Sequence, residues 1–186
     1  MFDALITSSV LVAIAEIGDK TQLLSFVLAS RLKRPAAIIA GIFVATLANH
    51  ALAAELGRLL GDLLTPDLVR WVTGILFIAF GAWALVPDKL DGEVKPHAAG
   101  AFVTAAITFF VAEMGDKTQL ATIALGARFD SVLQVVAGTT LGMMLANVPA
   151  VLIGARLAGA LPMGLVRYAA AALFAATGIW TLLSAS

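Results

Sequence analysis

The sequence predicts an all-α integral membrane protein with six transmembrane helices, arranged as two inverted three-helix repeats. Three observations predict it. The 186 residues are 61% hydrophobic and 13% charged, with a mean hydropathy of +0.99, well beyond the roughly half-apolar content of soluble domains. Six stretches are apolar over about the 20 residues that a spanning helix needs. A motif in the first stretch returns almost unchanged in the fourth.

The first stretch, residues 4–30, has no positively charged leader and runs through Glu16 and Asp19 without a small-residue cleavage site, so it reads as a retained helix. Arg31 to Pro35 separates it from the second, 35–57, and Gly61 to Asp67 precedes the third, 68–86. Pro87 to Pro96 is polar and forms the longest separator. The stretches 99–127, 131–155 and 163–184 follow, divided by Arg128, Phe129 and Asp130 and then by Pro162. The expected organisation is repeat one over 1–86, a cytoplasmic loop over 87–98 and repeat two over 99–186.

The repeat is read from residues Ala15 to Leu23, which recur as Ala112 to Leu120 with Ile17 replaced by Met114. The same offset of 97 residues carries Arg31 onto Arg128, Gly41 onto Gly138, Arg70 onto Arg167, Phe77 onto Phe174, Gly81 onto Gly178 and Trp83 onto Trp180. With one inserted residue, Asn49 falls on Asn147. An odd number of spans per copy sends the second copy in from the opposite face, as in the inverted repeats of secondary transporters. Basic residues set the orientation: Arg31, Lys33, Arg34, Lys89, Lys95, Arg156 and Arg167 fall on one side, against Arg58, Arg70 and Arg128 on the other. By the positive-inside rule the termini lie outside and the central loop is cytoplasmic.

Composition excludes several function classes. Net charge is zero and no basic run exists, so nucleic acid is not a partner. Cysteine is absent, which removes disulfides and thiolate metal ligands. No nucleophile and base pair, cofactor loop or phosphate-binding loop appears, so the chain reads as neither an enzyme nor an ATP-driven pump.

The chemistry lies in the motif. On a continuous helix Glu16, Asp19 and Lys20 stand at i, i+3 and i+4, as do Glu113, Asp116 and Lys117, giving one charged stripe per repeat. Charges inside a span usually face the bundle interior or a water-filled path. Four carboxylates and two ammonium groups leave two negative charges, which one divalent cation would balance. Hard cations take oxygen ligands, and Thr21, Thr118, Gln22 and Gln119 add neutral oxygens beside the acids. Carboxylates that give up protons when metal binds offer a route to metal/proton exchange. Gly18 and Gly115 either break the helix, freeing carbonyls, or only allow close helix packing.

These paired Glu-x-Gly-Asp-Lys-Thr motifs, each in the first span of a three-span repeat, resemble those of the Golgi-type manganese/calcium transporter family, long called uncharacterised protein family sixteen. The resemblance covers essentially the whole chain. It implies export of Mn2+ or Ca2+ from the cytosol in exchange for protons, with Glu16, Asp19, Glu113 and Asp116 binding the ion. Lys20 and Lys117 match the motif's basic position and Thr21 and Thr118 its hydroxyl position. No resident cofactor is implied. The short central loop and lack of an N-terminal extension resemble bacterial members, which implies a multi-pass protein of a prokaryotic plasma membrane. The oligomeric state stays open, a homodimer included.

Plainer readings stand beside these. The motif charges could form structural ion pairs, and Asn49 and Asn147 could make interhelical hydrogen bonds rather than offer oxygen to a cation, the favoured role for both. His50 is expected to be an ordinary hydrogen-bonded histidine and His97 a solvated one. A Met114 thioether would favour manganese if it faced inward, although packing is the simpler role. Glu55 and Arg58 are spaced to pair as an anchor, and Trp71, Trp83, Tyr168 and Trp180 suit membrane interfaces without a transport role. The competing functions are an exporter of small organic cations and a non-transporting membrane scaffold.

Overall fold

In the computed structural model, residues 3–86, 97–153 and 163–184 are described. The polar segment 87–96 and Arg156, on which part of the orientation argument rests, lie outside them. Among the described residues every regular element is an α-helix: α1 (Asp3–Glu16), α2 (Lys20–Leu32), α3 (Pro35–Leu63), α4 (Pro66–Ala84), α5 (Ala101–Glu113), α6 (Lys117–Arg128), α7 (Val132–Ile153) and α8 (Met163–Leu183). Three of these, α3, α4 and α7, are long and apolar enough to cross a membrane, and α5 and Arg167–Leu183 are shorter apolar helices.

The stretches expected as first and fourth spans are each broken in two. At about 1.5 Å per residue, neither α1 nor α2 alone crosses a hydrocarbon core of about 30 Å. Gly18 and Gly115 make the breaks, with φ of 84° and 77°, a left-handed conformation that glycine adopts without steric cost. The predicted charged stripe is therefore overturned: Glu16 ends one helix, and Asp19 precedes the next with an extended ψ of 168°. Continuous helices do not need this turn. Elsewhere the ends follow local chemistry. Pro35 and Pro66 open α3 and α4, where a missing N–H costs nothing. Thr65 caps α4 by accepting from the Leu68 N–H, and Lys33 closes α2 in a left-handed turn.

Packing joins the two halves through equivalent contacts. α1 lies along α7 and α5 along α3, so each broken helix docks on the long second helix of the other half. Glycine permits both approaches. A Cβ at Gly41 would lie 2.6 Å from the Phe102 carbonyl oxygen, and one at Gly138 would lie 2.5 Å from that of Leu5. Both distances are closer than real Cβ contacts, so larger residues would push the helices apart. The helices α4 and α8 run along each other, and the equivalent residues Phe77 and Phe174 stack with ring centroids 6.4 Å apart and planes 21° apart. The acids that flank the breaks in α1/α2 and α5/α6, Glu16, Asp19, Glu113 and Asp116, are thereby buried.

Candidate functional site

Each break is closed by its own motif. The Asp19 N–H donates to the Glu16 carbonyl and the Asp116 N–H to that of Glu113, both at 3.1 Å. The Gly18 N–H donates to Gln22 Oε1 at 2.8 Å, and the Gly115 N–H to Gln119 Oε1 at 2.7 Å. The glutamines thus reach back over the first turn of α2 and α6 in the manner of a capping box. Those oxygens, expected to be offered to a cation, are engaged by the turn. Thr21 donates to Glu16 Oε1, and Thr118 donates to Glu113 Oε2 at 2.9 Å, tying the end of each first half-helix to the start of the second. The motif spacing is explained by this local network: a break needs the glycine, and the residues three and four positions on must stitch it.

The halves then exchange partners. Lys20 Nζ lies 3.3 Å from Asp116 Oδ1, and Lys117 Nζ lies 3.6 Å from Asp19 Oδ1. Each ammonium therefore faces the aspartate of the other motif. The plainer reading of the lysines as ion-pair partners holds in this geometry, but the pairs run between repeats. Glu16, Glu113, Asp19 and Asp116 are all buried. Glu16 lies within electrostatic range of the other three acids, and the Thr21 hydroxyl also comes near Glu113. Among the described residues, no three acidic or histidine side chains converge as they stand on one metal-sized point. Among the described residues, three buried carboxylate oxygens, Glu16 Oε2, Glu113 Oε1 and Asp116 Oδ2, accept no hydrogen bond. Buried carboxylate oxygens are normally satisfied, so these call for an explanation.

The asparagines join the network. Asn147 Nδ2 donates to Glu16 Oε1 at 3.1 Å, and Ser25 donates to Asn147 Oδ1 at 2.7 Å. Asn49 Nδ2 donates to the Phe110 carbonyl at 3.0 Å, while its Oδ1 accepts from Gln119 at 3.4 Å. Both make the interhelical hydrogen bonds expected of them, and Asn147 in addition touches an acid of the motif. His50 departs from expectation. It is fully buried, yet neither ring nitrogen has a hydrogen-bond partner among the described residues. Met114 is exposed and His97 stands at the surface. Arg58 pairs with Glu55 at 2.5 Å and with Asp62 at 2.6 Å, matching the anchor reading.

Sequence reasoning missed two neighbours of the site. The Lys117 ammonium lies 5.7 Å from the centroid of the Trp83 ring, so this tryptophan is more than an interface residue. Met143, fully buried, places its sulfur 3.1 Å from Asn147 Nδ2. Its position four residues before Asn147 was the available signal. Cavities frame the site unevenly. One of about 540 Å³ lies at the ends of α3 and α6 beside Arg58, Arg70 and Arg128, away from the carboxylates. A space of only about 20 Å³ reaches Asp19 and Lys117 between Gly18 and Arg167.

The model of the family described as "Divalent cation/proton antiporter GDT1" matches residues 4–92 and 101–186, more than half of the chain and both copies of the motif. The chain belongs to the GDT1 family. It is a member of a transporter family rather than of an enzyme class, and its apolar helices are those of a multi-pass membrane protein. A protein of Vibrio cholerae named "Putative manganese exporter" is 57% identical over 164 residues, covering 88% of this chain and 82% of that protein. GDT1-like protein 5 of Arabidopsis thaliana is 30% identical over 211 residues, covering 92% of this chain and 91% of its own. For GDT1-like protein 3 of Oryza sativa the identity is 29% over 185 residues, and the chain spans 66% of that protein. No solved structure matches the chain.

Proposed function

We propose that this GDT1-family chain exports Mn2+, with Ca2+ as the second candidate ion, from the cytosol in exchange for protons. The observation that carries the reading is the set of buried carboxylate oxygens without hydrogen-bond partners on Glu16, Glu113 and Asp116. Oxygens in this state suit two kinds of occupant, a proton or a hard cation. In this reading the metal binds Glu16, Asp19, Glu113 and Asp116, with Thr21, Thr118, Asn49 and Asn147 in support. Lys20 and Lys117 hold the aspartates while no cation is bound. Metal entry draws the lysines off, gathers the acids and expels protons, and the reverse step on the far side reloads them. The manganese assignment leans on the printed name of the Vibrio relative.

The architecture that fits is six spans in two inverted repeats, with α1/α2 and α5/α6 as the broken first spans, over 1–86 and 99–186. Half-helices meeting at the midplane are how secondary transporters expose backbone and side chains to an ion within the bilayer. The termini then lie outside and residues 87–98 in the cytoplasm of a prokaryotic cell. The test is flux in liposomes that enclose a pH dye, under an imposed Mn2+ or Ca2+ gradient. Wild-type protein should move protons against the metal, and Glu16→Gln and Asp116→Asn should abolish both movements. Metal flux without proton movement would refute the exchange, and unaltered flux in both variants would refute the site.

A further inference from the structure

The geometry points to Met143 as the residue that sets the preference of the site for softer divalent cations over Ca2+ and Mg2+. The inference rests on the transport reading above and adds to it a ligand of different chemistry. The motif supplies oxygen donors only, and such a set holds calcium, magnesium and manganese alike. Selection among them needs a donor of another kind. Met143 on α7 is fully buried, and its sulfur contacts Asn147 Nδ2 at 3.1 Å. The same amide nitrogen donates to Glu16 Oε1 and to the Met143 carbonyl, each at 3.1 Å, so sulfur and carboxylate are both neighbours of one amide.

That amide is poised to give way. Its N–H group points at Glu16 while its oxygen accepts from Ser25 Oγ at 2.7 Å. A cation that settles on the unpartnered Glu16 Oε2 and draws in Oε1 as well meets the positive end of the N–H dipole at Oε1, which has to turn aside. Turning it away releases the thioether and brings a neutral oxygen within reach of the ion. A thioether is a polarizable, soft donor that adds more to the binding of a transition-metal ion than to that of an alkaline-earth ion. The flexible methionine side chain can follow the ion without disturbing the packing around it.

The device is one-sided. Four residues before Asn147 stands Met143, whereas four residues before Asn49 stands Ala45, also buried but with no donor atom. Met114, the methionine inside the motif, is 60% exposed and cannot play this part from there. The thioether beside Glu16 therefore has no counterpart four residues before Asn49 in the other repeat.

The test compares metal flux in liposomes for wild-type protein, Met143→Leu and Met143→Gln, with Mn2+, Cd2+ and Ca2+ each supplied alone. Leucine keeps the volume and removes the donor, while glutamine keeps the length and offers hard oxygen. Met143→Leu should lower the Cd2+ to Ca2+ flux ratio by about tenfold, the low end of what a lost metal-site partner costs, and the Mn2+ to Ca2+ ratio less. Met143→Gln should move both ratios further toward Ca2+. If all three metals fall together in Met143→Leu, or neither ratio changes, Met143 only packs and the inference is overturned. Wild-type liposomes that move no divalent cation would sink the transport reading itself, and this inference with it.

Discussion

The two copies of the motif have nearly the same backbone and very different surroundings. Asp19 and Asp116 precede their helices with φ and ψ of −77° and 168° against −80° and 165°, and the glycine, glutamine and threonine contacts are duplicated. Around the second motif, however, Met114 and Gly115 are exposed, and the Lys20 side chain that faces Asp116 is 27% exposed. Around the first motif, the Lys117 side chain that faces Asp19 is 6% exposed and lies over Trp83. A duplicated sequence thus gives one closed corner and one open one. The difference teaches that local sequence sets the break, while the tertiary packing of the other half sets how much of it meets the outside.

The largest expected effect breaks that comparison at the lysines. Lys117→Met leaves Asp19 in a buried setting after losing its opposing charge, and removing one partner of a buried pair costs about 3 kcal/mol or more. Lys20→Met should cost roughly half as much, because the Lys20 side chain is 27% exposed against 6% for Lys117, so the pair it makes is less fully buried. Thermal unfolding in detergent checks this: Lys117→Met should lower the midpoint distinctly more than Lys20→Met. Equal shifts would show that the two corners do not differ energetically.

A smaller effect sharpens it at the hydroxyls. Thr21 donates to Glu16 and comes near Glu113, while the Thr118 hydroxyl donates to Glu113. Hydrogen bonds to charged groups contribute about 2 kcal/mol, so Thr21→Val should cost about that much and Thr118→Val about half. Metal flux should fall in the same order, since a glutamate without its threonine is less well placed. A larger loss in Thr118→Val would mean that the first motif is not the link between the two.

Much of this arrangement was legible in the sequence, and the rest had physical reasons for being hidden. Recurrence at a fixed offset marked the duplication, and glycine inside a charged, apolar stretch marked a helix break as one of two readings. The break then took Asp19 and Asp116 out of the helical backbone that would have set each in one stripe with its own glutamate. Cross-pairing of Lys20 with Asp116 and of Lys117 with Asp19 was out of reach, because it depends on how two halves dock rather than on spacing within either. Asn147 was readable as a hydrogen-bonding residue, but its choice of Glu16 and the company of Met143 depend on α1 lying along α7. The part Gln22 and Gln119 play in the turn was hidden for a related reason, because the turn that they close exists only once the helix is broken.

The smallest effect bears on the break itself, where the two motifs are most alike. A Cβ at Gly115 would meet nothing within 4 Å, so any cost of Gly115→Ala is a backbone cost at φ of 77°. For an L-residue that conformation costs about 1 kcal/mol. Asparagine tolerates the left-handed region, so Gly115→Asn should recover a good part of it. Gly18 lines the narrow space shared by Asp19 and Lys117, and Gly18→Ala should add crowding to the same backbone cost. Unfolding midpoints should therefore rank Gly115→Asn above Gly115→Ala and Gly115→Ala above Gly18→Ala. Flux should fall further than stability in both alanine variants, because alanine favours the continuous helix that swings each aspartate out of reach of the opposite lysine. If Gly115→Ala keeps full flux and an unchanged midpoint, the left-handed turn is incidental, and the motif works from a geometry other than the broken helix.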